Sequence, residues 1–210
     1  MKELGTIRVM IVDDHPIVRE GLSAVLHPLA DMCVVAETGS GEEAVAAFRE
    51  HQPDVTLMDL RMPQMDGLEA IQAIREEYPA ARILILTTYD GDENIYRALK
   101  AGAKGYLLKT APHAELLNAI RMVQSGQSYL PAAIAAQLAE RMNRPLLTAR
   151  ELAVLEQVAS GSSNQEIGSA LFITEGTVKA HINRILHKLG VTDRTQATIS
   201  AINRGIVHLR

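Results

Sequence analysis

Five short apolar runs alternate with stretches of helical periodicity in the first 110 residues of the chain. The runs are residues 9–12, 34–36, 55–58, 83–86 and 106–108, and each stops at a polar or charged residue. A chain that alternates strands and helices in this way builds a parallel sheet covered by helices on both faces. The pattern therefore predicts an α/β domain with a doubly wound, five-stranded parallel sheet.

Helices are predicted after each of these strands. They fall near residues 16–26, 41–51, 67–77, 92–101 and 112–125. The first begins at Pro16, where the missing N–H of proline costs nothing, and glycines at positions 102, 105 and 126 stop helices or form turns. We therefore expect the first domain to cover residues 1–125.

The pattern changes after Gly126. Residues 126–145 are interpreted as a linker with a short Ala-rich helix at 131–141, and residues 146–210 show helical periodicity only. Capping boxes at 148–151 and 163–166 open two helices, and Thr174 caps a third that reaches Leu189. A fourth is predicted near 195–203. Helices at 165–171 and 175–189, joined by a tight turn, have the spacing of a helix-turn-helix, so the second domain is predicted to be smaller and all-α.

Charge divides along the same boundary. Asp and Glu outnumber Lys and Arg by 19 to 12 in residues 1–124, whereas Lys and Arg lead by 7 to 5 in residues 146–210. The two halves are therefore expected to have different partners, although the basic excess is too small to establish nucleic-acid binding alone.

The cellular compartment is predicted from the cysteine content and from the absence of a signal peptide or a long apolar run. Cys33 is the only cysteine, which excludes a disulfide framework, and it is expected to be a small buried hydrophobe. Residues 1–6 lack the apolar core of a signal peptide, and no apolar run approaches the length of about 18 residues that a membrane span needs. A soluble, cytoplasmic protein with no membrane partner is expected.

Polar side chains follow the apolar runs at the carboxyl ends of the predicted strands. They are Asp13, Asp14, Asp59, Thr87 and Lys109. Parallel strands share this edge, and in the common order 2-1-3-4-5 the first and third strands flank the point where ligands bind. Three carboxylates would repel one another unless a divalent cation such as Mg²⁺ lay between them. A lysine and a hydroxyl would complete a site for a phosphoryl group, which a carboxylate can accept as an acyl phosphate.

These residues lie in motifs that resemble the receiver domain of two-component response regulators, over residues 7 to about 125. The motifs are Asp13-Asp14-His15-Pro16, residues 57–67, Leu86-Thr87 and residues 104–109. The resemblance implies a flavodoxin-like fold and a sensor histidine kinase as partner. It further implies that Asp59 is the phosphoacceptor and Lys109 the phosphate-binding cation. The implied ligands of Mg²⁺ are Asp13, Asp14, Asp59 and the Arg61 carbonyl. The implied switch residues are Thr87, through its hydroxyl, and Tyr106, through its ring.

Some positions in these motifs keep a second interpretation. Tyr106 is as well explained by core packing as by a switch. His15 is expected to be a polar loop residue rather than a ligand. Many receivers have proline in a cis peptide after the lysine, whereas this chain has Thr110, which leaves the geometry of that peptide open.

The helix predicted at residues 175–189 has one apolar stripe. Val178, Ile182, Ile185 and Leu189 form it, at spacings of four, three and four. The outer face carries small, basic and amide side chains of the kind that read base edges in the major groove. A solvated face on a core helix is the alternative, and the helix-turn-helix setting favours DNA.

Three motifs of the second domain resemble the LuxR-type DNA-binding domain, and the whole chain resembles the NarL/FixJ family of response regulators. The motifs are residues 147–151, 164–167 and 174–181. The resemblance implies that Lys179, Ala180 and Asn183 face bases. It implies that Thr177, Arg184 and Lys188 contact phosphates.

Gly168 and residues 196–202 are two further features of this domain. Gly168 replaces the usual alanine, at a cost of up to about 1 kcal/mol. Residues 196–202 resemble the dimerisation helix of the family, although surface alanines explain them equally well.

We therefore expect a phosphorylation-controlled transcription regulator that binds double-stranded promoter DNA as a homodimer. It is expected to be a switch more than an enzyme, which catalyses only the transfer of a phosphoryl group onto its own Asp59 and the later hydrolysis of that group. The first alternative is a Mg²⁺-dependent phosphatase with an aspartyl nucleophile. Such enzymes typically need a second aspartate two residues later, where this chain has Arg61. The second is an RNA-binding antiterminator, which the lack of aromatic stacking residues in the second domain disfavours.

Overall fold

The computed structural model describes residues 5–88 and 91–207. The chain forms two compact units, of which one comprises Met1–Asp90 with Ile95–Ala135 and the other Gly91–Asn94 with Ala136–Arg210. The main division falls inside the predicted linker, residues 126–145. The domain bounds themselves stay a prediction.

The first unit is built on a parallel sheet of five strands. They are β1 (Ile7–Val12), β2 (Met32–Thr38), β3 (Val55–Met58), β4 (Ile83–Thr87) and β5 (Gly105–Leu108). Their order is β2-β1-β3-β4-β5, which confirms the doubly wound fold. β1 and β2 extend beyond their apolar runs because the two strands continue to pair at their ends, from Ile7 with Met32 to Val12 with Thr38.

Helices follow each strand as predicted, with ends that differ by at most one residue. They are α1 (Pro16–Leu26), α2 (Gly41–His51), α3 (Gly67–Glu77), α4 (Asp92–Lys100) and α5 (His113–Gln124). α1 begins with Pro16 directly after the extended residue His15. Asp66 and Glu69 form a capping box that fixes the start of α3. These local signals place the loops that carry the polar residues of the sheet edge.

The core of the first unit packs against the sheet, with Val9, Ile11 and Leu84 completely shielded from solvent. Cys33 departs from expectation, because it is only partly buried. It lies in β2, an edge strand that is covered less fully than the central ones. The peptide between Lys109 and Thr110 is trans.

Part of the predicted linker packs against the outer edge of β5. The amide of Tyr106 donates to the Tyr129 carbonyl (3.0 Å), and the amide of Tyr129 donates to the Lys104 carbonyl (2.9 Å). A Cβ on Gly105 would lie 2.9 Å from the Tyr129 carbonyl oxygen, so glycine permits this close approach. Tyr129 therefore forms an isolated bridge to the edge of the sheet, which the composition of the segment did not indicate.

The remaining helices are α6 (Ala132–Met142), α7 (Ala149–Ala159), α8 (Asn164–Leu171), α9 (Glu175–Leu189) and α10 (Arg194–Asn203). Both predicted capping boxes are present, at the starts of α7 and α8. The core of α7–α10 is apolar and includes Val154, Leu155, Ile167, Val178 and Ile185. The all-α, helix-turn-helix architecture is therefore confirmed.

Gly168 has a role in the turn between α8 and α9. Its carbonyl accepts a hydrogen bond from the Ile173 amide (2.9 Å), and a Cβ at this position would lie 2.7 Å from the Ile173 carbonyl oxygen. The glycine therefore lets the turn approach α8 closely. Glycine lowers helix propensity at this position, as expected from the sequence, but it also permits this close packing of the turn.

No helix within residues 5–88 and 91–207 is both long and apolar enough to cross a membrane.

Candidate functional site

The carboxyl ends of three strands meet in a direct ionic contact. Asp13 follows β1, Asp59 follows β3 and Lys109 follows β5. Lys109 Nζ lies 2.5 Å from Asp13 Oδ2 and 2.5 Å from Asp59 Oδ2. The predicted convergence of these side chains, which are up to 96 positions apart in the sequence, is therefore present at the sheet edge.

This cluster is shielded from solvent. The side chains of Asp13, Asp59 and Lys109 are 2%, 5% and 12% exposed. Burial lowers the pKa of Lys109, but hydrogen bonds to Asp13 and Asp59 and their negative charges outweigh burial and hold that pKa above its ordinary value. Lys109 is therefore a permanent cation that holds two carboxylates together.

The loop after β3 fixes the carboxylate of Asp59. Its Oδ1 accepts a hydrogen bond from the Leu60 amide (2.7 Å), while Oδ2 contacts Lys109. The loop closes where the Gly67 amide donates to the Leu60 carbonyl (3.0 Å). A Cβ on Gly67 would lie 2.0 Å from the Asp59 carbonyl oxygen, so only glycine allows α3 to start this close to Asp59.

The acidic residues fit a hard divalent cation. Asp13, Asp14, His15 and Asp59 offer ligand atoms that all lie within 4.8 Å of one another. Asp14 Oδ1 is shielded from solvent and, within the described residues, accepts no hydrogen bond of normal geometry, although His15 Nδ1 lies 2.6 Å from it. A bound cation would satisfy this oxygen. Carboxylate oxygens are the ligands that Mg²⁺ prefers. The Arg61 amide lies 3.4 Å from Asp59 Oδ1, which places its backbone beside the cluster, and the role of its carbonyl stays a prediction.

The two proposed switch residues are both buried. Thr87 is completely shielded, and its Oγ1 has no hydrogen-bond partner within the described part of the chain. An unsatisfied buried hydroxyl costs about 1–3 kcal/mol, so an incoming oxygen atom would stabilise it. Tyr106 is completely buried, as both of its interpretations require, and its role as a switch stays a prediction.

α9 presents the predicted DNA-contacting side chains to solvent. Its inner side carries Val178 and Ile185, both buried. The exposed residues of the outer side include Thr177, Lys179, Ala180, Asn183 and Arg184. The Thr177 hydroxyl lies 3.0 Å from that of Thr174, the residue that caps the helix. The outer side of α9 therefore exposes small, basic and amide groups that a large ligand such as double-stranded DNA could contact.

Lys188 differs from the other predicted contacts of α9. Its Nζ donates to Glu151 Oε2 (2.7 Å) and to the Leu146 carbonyl (2.9 Å), and its side chain is 24% exposed. Burial raises the pKa of Glu151, but hydrogen bonds from Lys188 and Thr148 outweigh burial and lower that pKa to about 2. The capping motif predicted a capping role for Glu151 but did not predict this ion pair, which joins α7 to α9. Its signal was limited to a glutamate and a lysine 37 positions apart.

Comparisons with known proteins agree with the two sets of motifs. A family described as "Response regulator receiver domain" matches residues 9–121, and one described as "Bacterial regulatory proteins, luxR family" matches residues 145–201. The response regulator protein VraR of Staphylococcus aureus (strain Mu3 / ATCC 700698) is 42% identical over 207 residues, which cover 96% of this chain and 99% of VraR.

Two solved structures resemble the chain over nearly its full length. The response regulator ChrA of a heme-sensing two-component system is 39% identical, with a TM-score of 0.58, over 96% of this chain and 99% of ChrA. A structure of two RcsB dimers bound to two parallel DNAs is 25% identical, with a TM-score of 0.72, over 95% of this chain and 99% of RcsB. The family is one of regulators and not of classical enzymes. This chain belongs to the NarL-type response regulators of two-component systems, which join a receiver domain to a LuxR-type DNA-binding domain.

Proposed function

We propose that Asp59 is the residue through which this response regulator is phosphorylated. The observation that carries the proposal is the fixed carboxylate of Asp59, held between the Leu60 amide and Lys109 at the edge of the sheet. Its donor would be a phosphohistidine of a sensor histidine kinase. An Asp59 oxygen attacks phosphorus, the P–N bond breaks, and its electron pair stays on the histidine nitrogen, which takes up a proton. The product on Asp59 is an acyl phosphate.

The surrounding side chains are suited to stabilise that phosphoryl group. Asp13, Asp14, Asp59 and the Arg61 carbonyl would hold Mg²⁺, which when bound offsets the negative charge of the phosphoryl oxygens. Lys109 would exchange its contact with Asp59 for one with a phosphoryl oxygen. Thr87, whose buried hydroxyl has no hydrogen-bond partner among the described residues, would donate to another phosphoryl oxygen. The last contact links the phosphoryl group to β4 and provides a way to reshape the surface of the receiver.

The second unit would bind promoter DNA as a homodimer. Lys179, Ala180 and Asn183 are proposed to face bases, while Thr177, Arg184 and Lys188 contact phosphates. Exposure of the first five residues supports this assignment. A phosphate contact by Lys188 would compete with its ion pair to Glu151. Two points support a dimer. One small DNA-binding domain covers only one half-site and needs a second copy for firm specificity, and RcsB binds DNA as dimers.

The phosphoacceptor is tested by treating the protein with acetyl phosphate and Mg²⁺ and measuring its intact mass. We expect one added phosphate, lost in Asp59→Asn and in the presence of a chelator. Asp54→Asn is the matched control, because Asp54 lies at the opposite end of β3 and accepts a hydrogen bond from the Arg8 amide, which asparagine can keep. Undiminished labelling of Asp59→Asn would overturn the assignment.

A further inference from the structure

Tyr129 is bound to the outer edge of β5 by two backbone hydrogen bonds. Its amide donates to the Lys104 carbonyl (2.9 Å), and its carbonyl accepts from the Tyr106 amide (3.0 Å). β5 is the last strand in the order of the sheet, so Tyr129 occupies the edge that the sheet itself leaves open. The bridge is isolated, and two hydrogen bonds without further pairing open easily. Its stability therefore depends strongly on how firmly β5 is held.

The chain reaches this edge through a turn at the end of α5. Gly126 adopts a φ of 88°, and the Gln127 amide donates back to the Met122 carbonyl of α5 (3.0 Å). The Tyr129 hydroxyl also binds to this helix, because it donates to Glu115 Oε1 (2.9 Å). The segment 126–129 therefore has two attachments: its turn and the Tyr129 hydroxyl are bound to α5, whereas the Tyr129 backbone is bound to β5.

β5 also reaches the proposed phosphorylation site. Lys109 directly follows the strand, its Nζ lies 2.5 Å from Asp59 Oδ2, and its amide donates to the Thr87 carbonyl (2.8 Å). The strand is only four residues long, Gly105–Leu108, so the Asp59 contact and the Tyr129 bridge lie at opposite ends of one short element. A phosphoryl group that binds both Lys109 and the Thr87 hydroxyl would fix the carboxyl ends of β4 and β5 to each other.

Gly105 makes the bridge sensitive to the position of β5. A Cβ at this residue would lie 2.7 Å from Leu84 Cδ1 of β4 and 2.9 Å from the Tyr129 carbonyl oxygen. Gly105 is therefore closely surrounded by Leu84 and by the Tyr129 backbone, and a shift of β5 at this point changes the distance to Tyr129. A strand that is fixed in place keeps the two hydrogen bonds aligned, whereas a strand that fluctuates breaks them.

We propose that the bridge between Tyr129 and β5 couples the phosphorylation site to the segment that leaves the receiver. Phosphorylation of Asp59 fixes β5, and the fixed strand stabilises the bridge. The inference rests on the proposed function, because it requires the phosphoryl group to be on Asp59. By linkage, the bridge must in turn strengthen the binding of a phosphoryl group or its mimic. Tyr129 acts through β5 and is a positioning residue.

Amide hydrogen exchange of the full-length protein, resolved to single residues, tests the proposal with and without Mg²⁺ and beryllofluoride, a mimic of the phosphoryl group. We expect the mimic to raise the protection of the Tyr129 and Tyr106 amides by about fivefold or more. The Gln127 amide is the internal control, because it lies in the same segment but donates to Met122 of α5, and its protection should not change. Unchanged protection at Tyr129, or an equal rise at all three amides, would overturn the proposal.

The reciprocal measurement is the affinity for beryllofluoride, obtained by ¹⁹F nuclear magnetic resonance. Tyr129→Pro lacks the amide that donates to Lys104 and should bind the mimic about fivefold or more weakly, whereas Tyr129→Phe keeps both backbone bonds and should bind as the wild type does. Circular dichroism verifies the fold, and if Tyr129→Pro does not fold, exchange in the wild type decides alone. Equal affinities of the two variants would overturn the coupling while the phosphoacceptor stands. Failure of the wild type to bind the mimic would refute the phosphoryl site and the inference together.

Discussion

The two functional regions of this protein place their charged side chains in opposite environments. At the sheet edge, Asp13, Asp59 and Lys109 are buried and already in contact. On α9, Lys179 and Arg184 are exposed, and within the described residues they make no ion pair. Phosphoryl transfer benefits from fixed charges in a water-poor site, whereas DNA binding gains from cations that can reach phosphates and release counterions. The side chains suited to phosphoryl transfer are therefore buried, whereas those suited to DNA binding are exposed.

Buried charge also occurs in the second unit, but there it supports the structure. The Glu151 side chain is 4% exposed and pairs with Lys188 of α9. The pair joins α7 to α9, the helix whose exposed side chains are proposed to contact DNA. We therefore expect substitutions at the sheet edge to slow phosphoryl transfer strongly. Substitution of Glu151 should destabilise the second unit, and substitutions on the outer side of α9 should weaken DNA binding to different degrees.

The largest effect is expected from Lys109→Met. Loss of the ammonium leaves Asp13 and Asp59 uncompensated and removes a donor to the phosphoryl oxygens, so labelling by acetyl phosphate should slow by about 100-fold or more. The rate is measured from the intact mass over time. Lys104→Met is the control, since Lys104 directly precedes β5 at the end remote from Asp59. Labelling of Lys109→Met at close to the wild-type rate would contradict the assignment.

Glu151→Gln should destabilise the second unit by about 2 kcal/mol, because glutamine keeps the shape of the cap but loses the charged partner of Lys188. Amide hydrogen exchange of α7 and α9 in the full chain measures this loss. Glu156→Gln, at an exposed position of the same helix, should change exchange little. Equal protection in both variants would show that the pair contributes nothing.

The same pair predicts a pH dependence. The pKa of Glu151 is lowered from 4.5 to about 2, so the folded state favours the ionised form. Its stabilisation is fully present above about pH 4.5 and is lost as the pH falls toward 2. The wild type should therefore lose protection of α7 and α9 over this interval more steeply than Glu151→Gln. Parallel pH profiles of the two proteins would contradict this cause.

Smaller and more specific effects are expected from the outer side of α9. Lys179→Ala should reduce the preference for one base pair by about 1–3 kcal/mol, whereas Arg184→Ala should weaken binding to all DNA sequences alike. Arg184→Ala should also reduce by about one the slope of the logarithm of the binding constant against the logarithm of salt concentration. Lys188→Ala tests whether its ammonium leaves Glu151 for a phosphate: a reduced slope would support the contact, and an unchanged slope would show a supporting role only. Uniform weakening by Lys179→Ala would refute direct base contact.

Much of the fold follows from local patterns in the sequence. The apolar runs predicted the five strands, and the capping boxes at Thr148 and Ser163 predicted helix starts that the structure confirms. Strand ends were less predictable, because pairing with a neighbour extends β1 and β2 past their apolar residues. The addition of Tyr129 to β5 was missed for the same reason, since it depends on a distant backbone and on the space left by Gly105.

The candidate site shows the same limit. Strand-terminal positions predicted that Asp13, Asp59 and Lys109 converge, because parallel strands share an edge. The sequence did not show that one ammonium contacts both carboxylates, or that the ring of His15 turns toward Asp14. These contacts depend on side-chain rotamers and tertiary packing, as does the pairing of Glu151 with Lys188.

Control of DNA binding by phosphorylation requires coupling between the two regions, and beryllofluoride, a mimic of the phosphoryl group, tests that coupling most directly. Full-length protein is used to select genomic DNA fragments with Mg²⁺ and beryllofluoride, and its mass in solution and affinity for a selected fragment are then measured with and without the mimic. We predict that the mimic raises dimer content and affinity together, and that Thr87→Ala blunts both while Asp59 is still phosphorylated. Tight binding of the fragment by a monomer, unchanged by the mimic, would contradict the central claim.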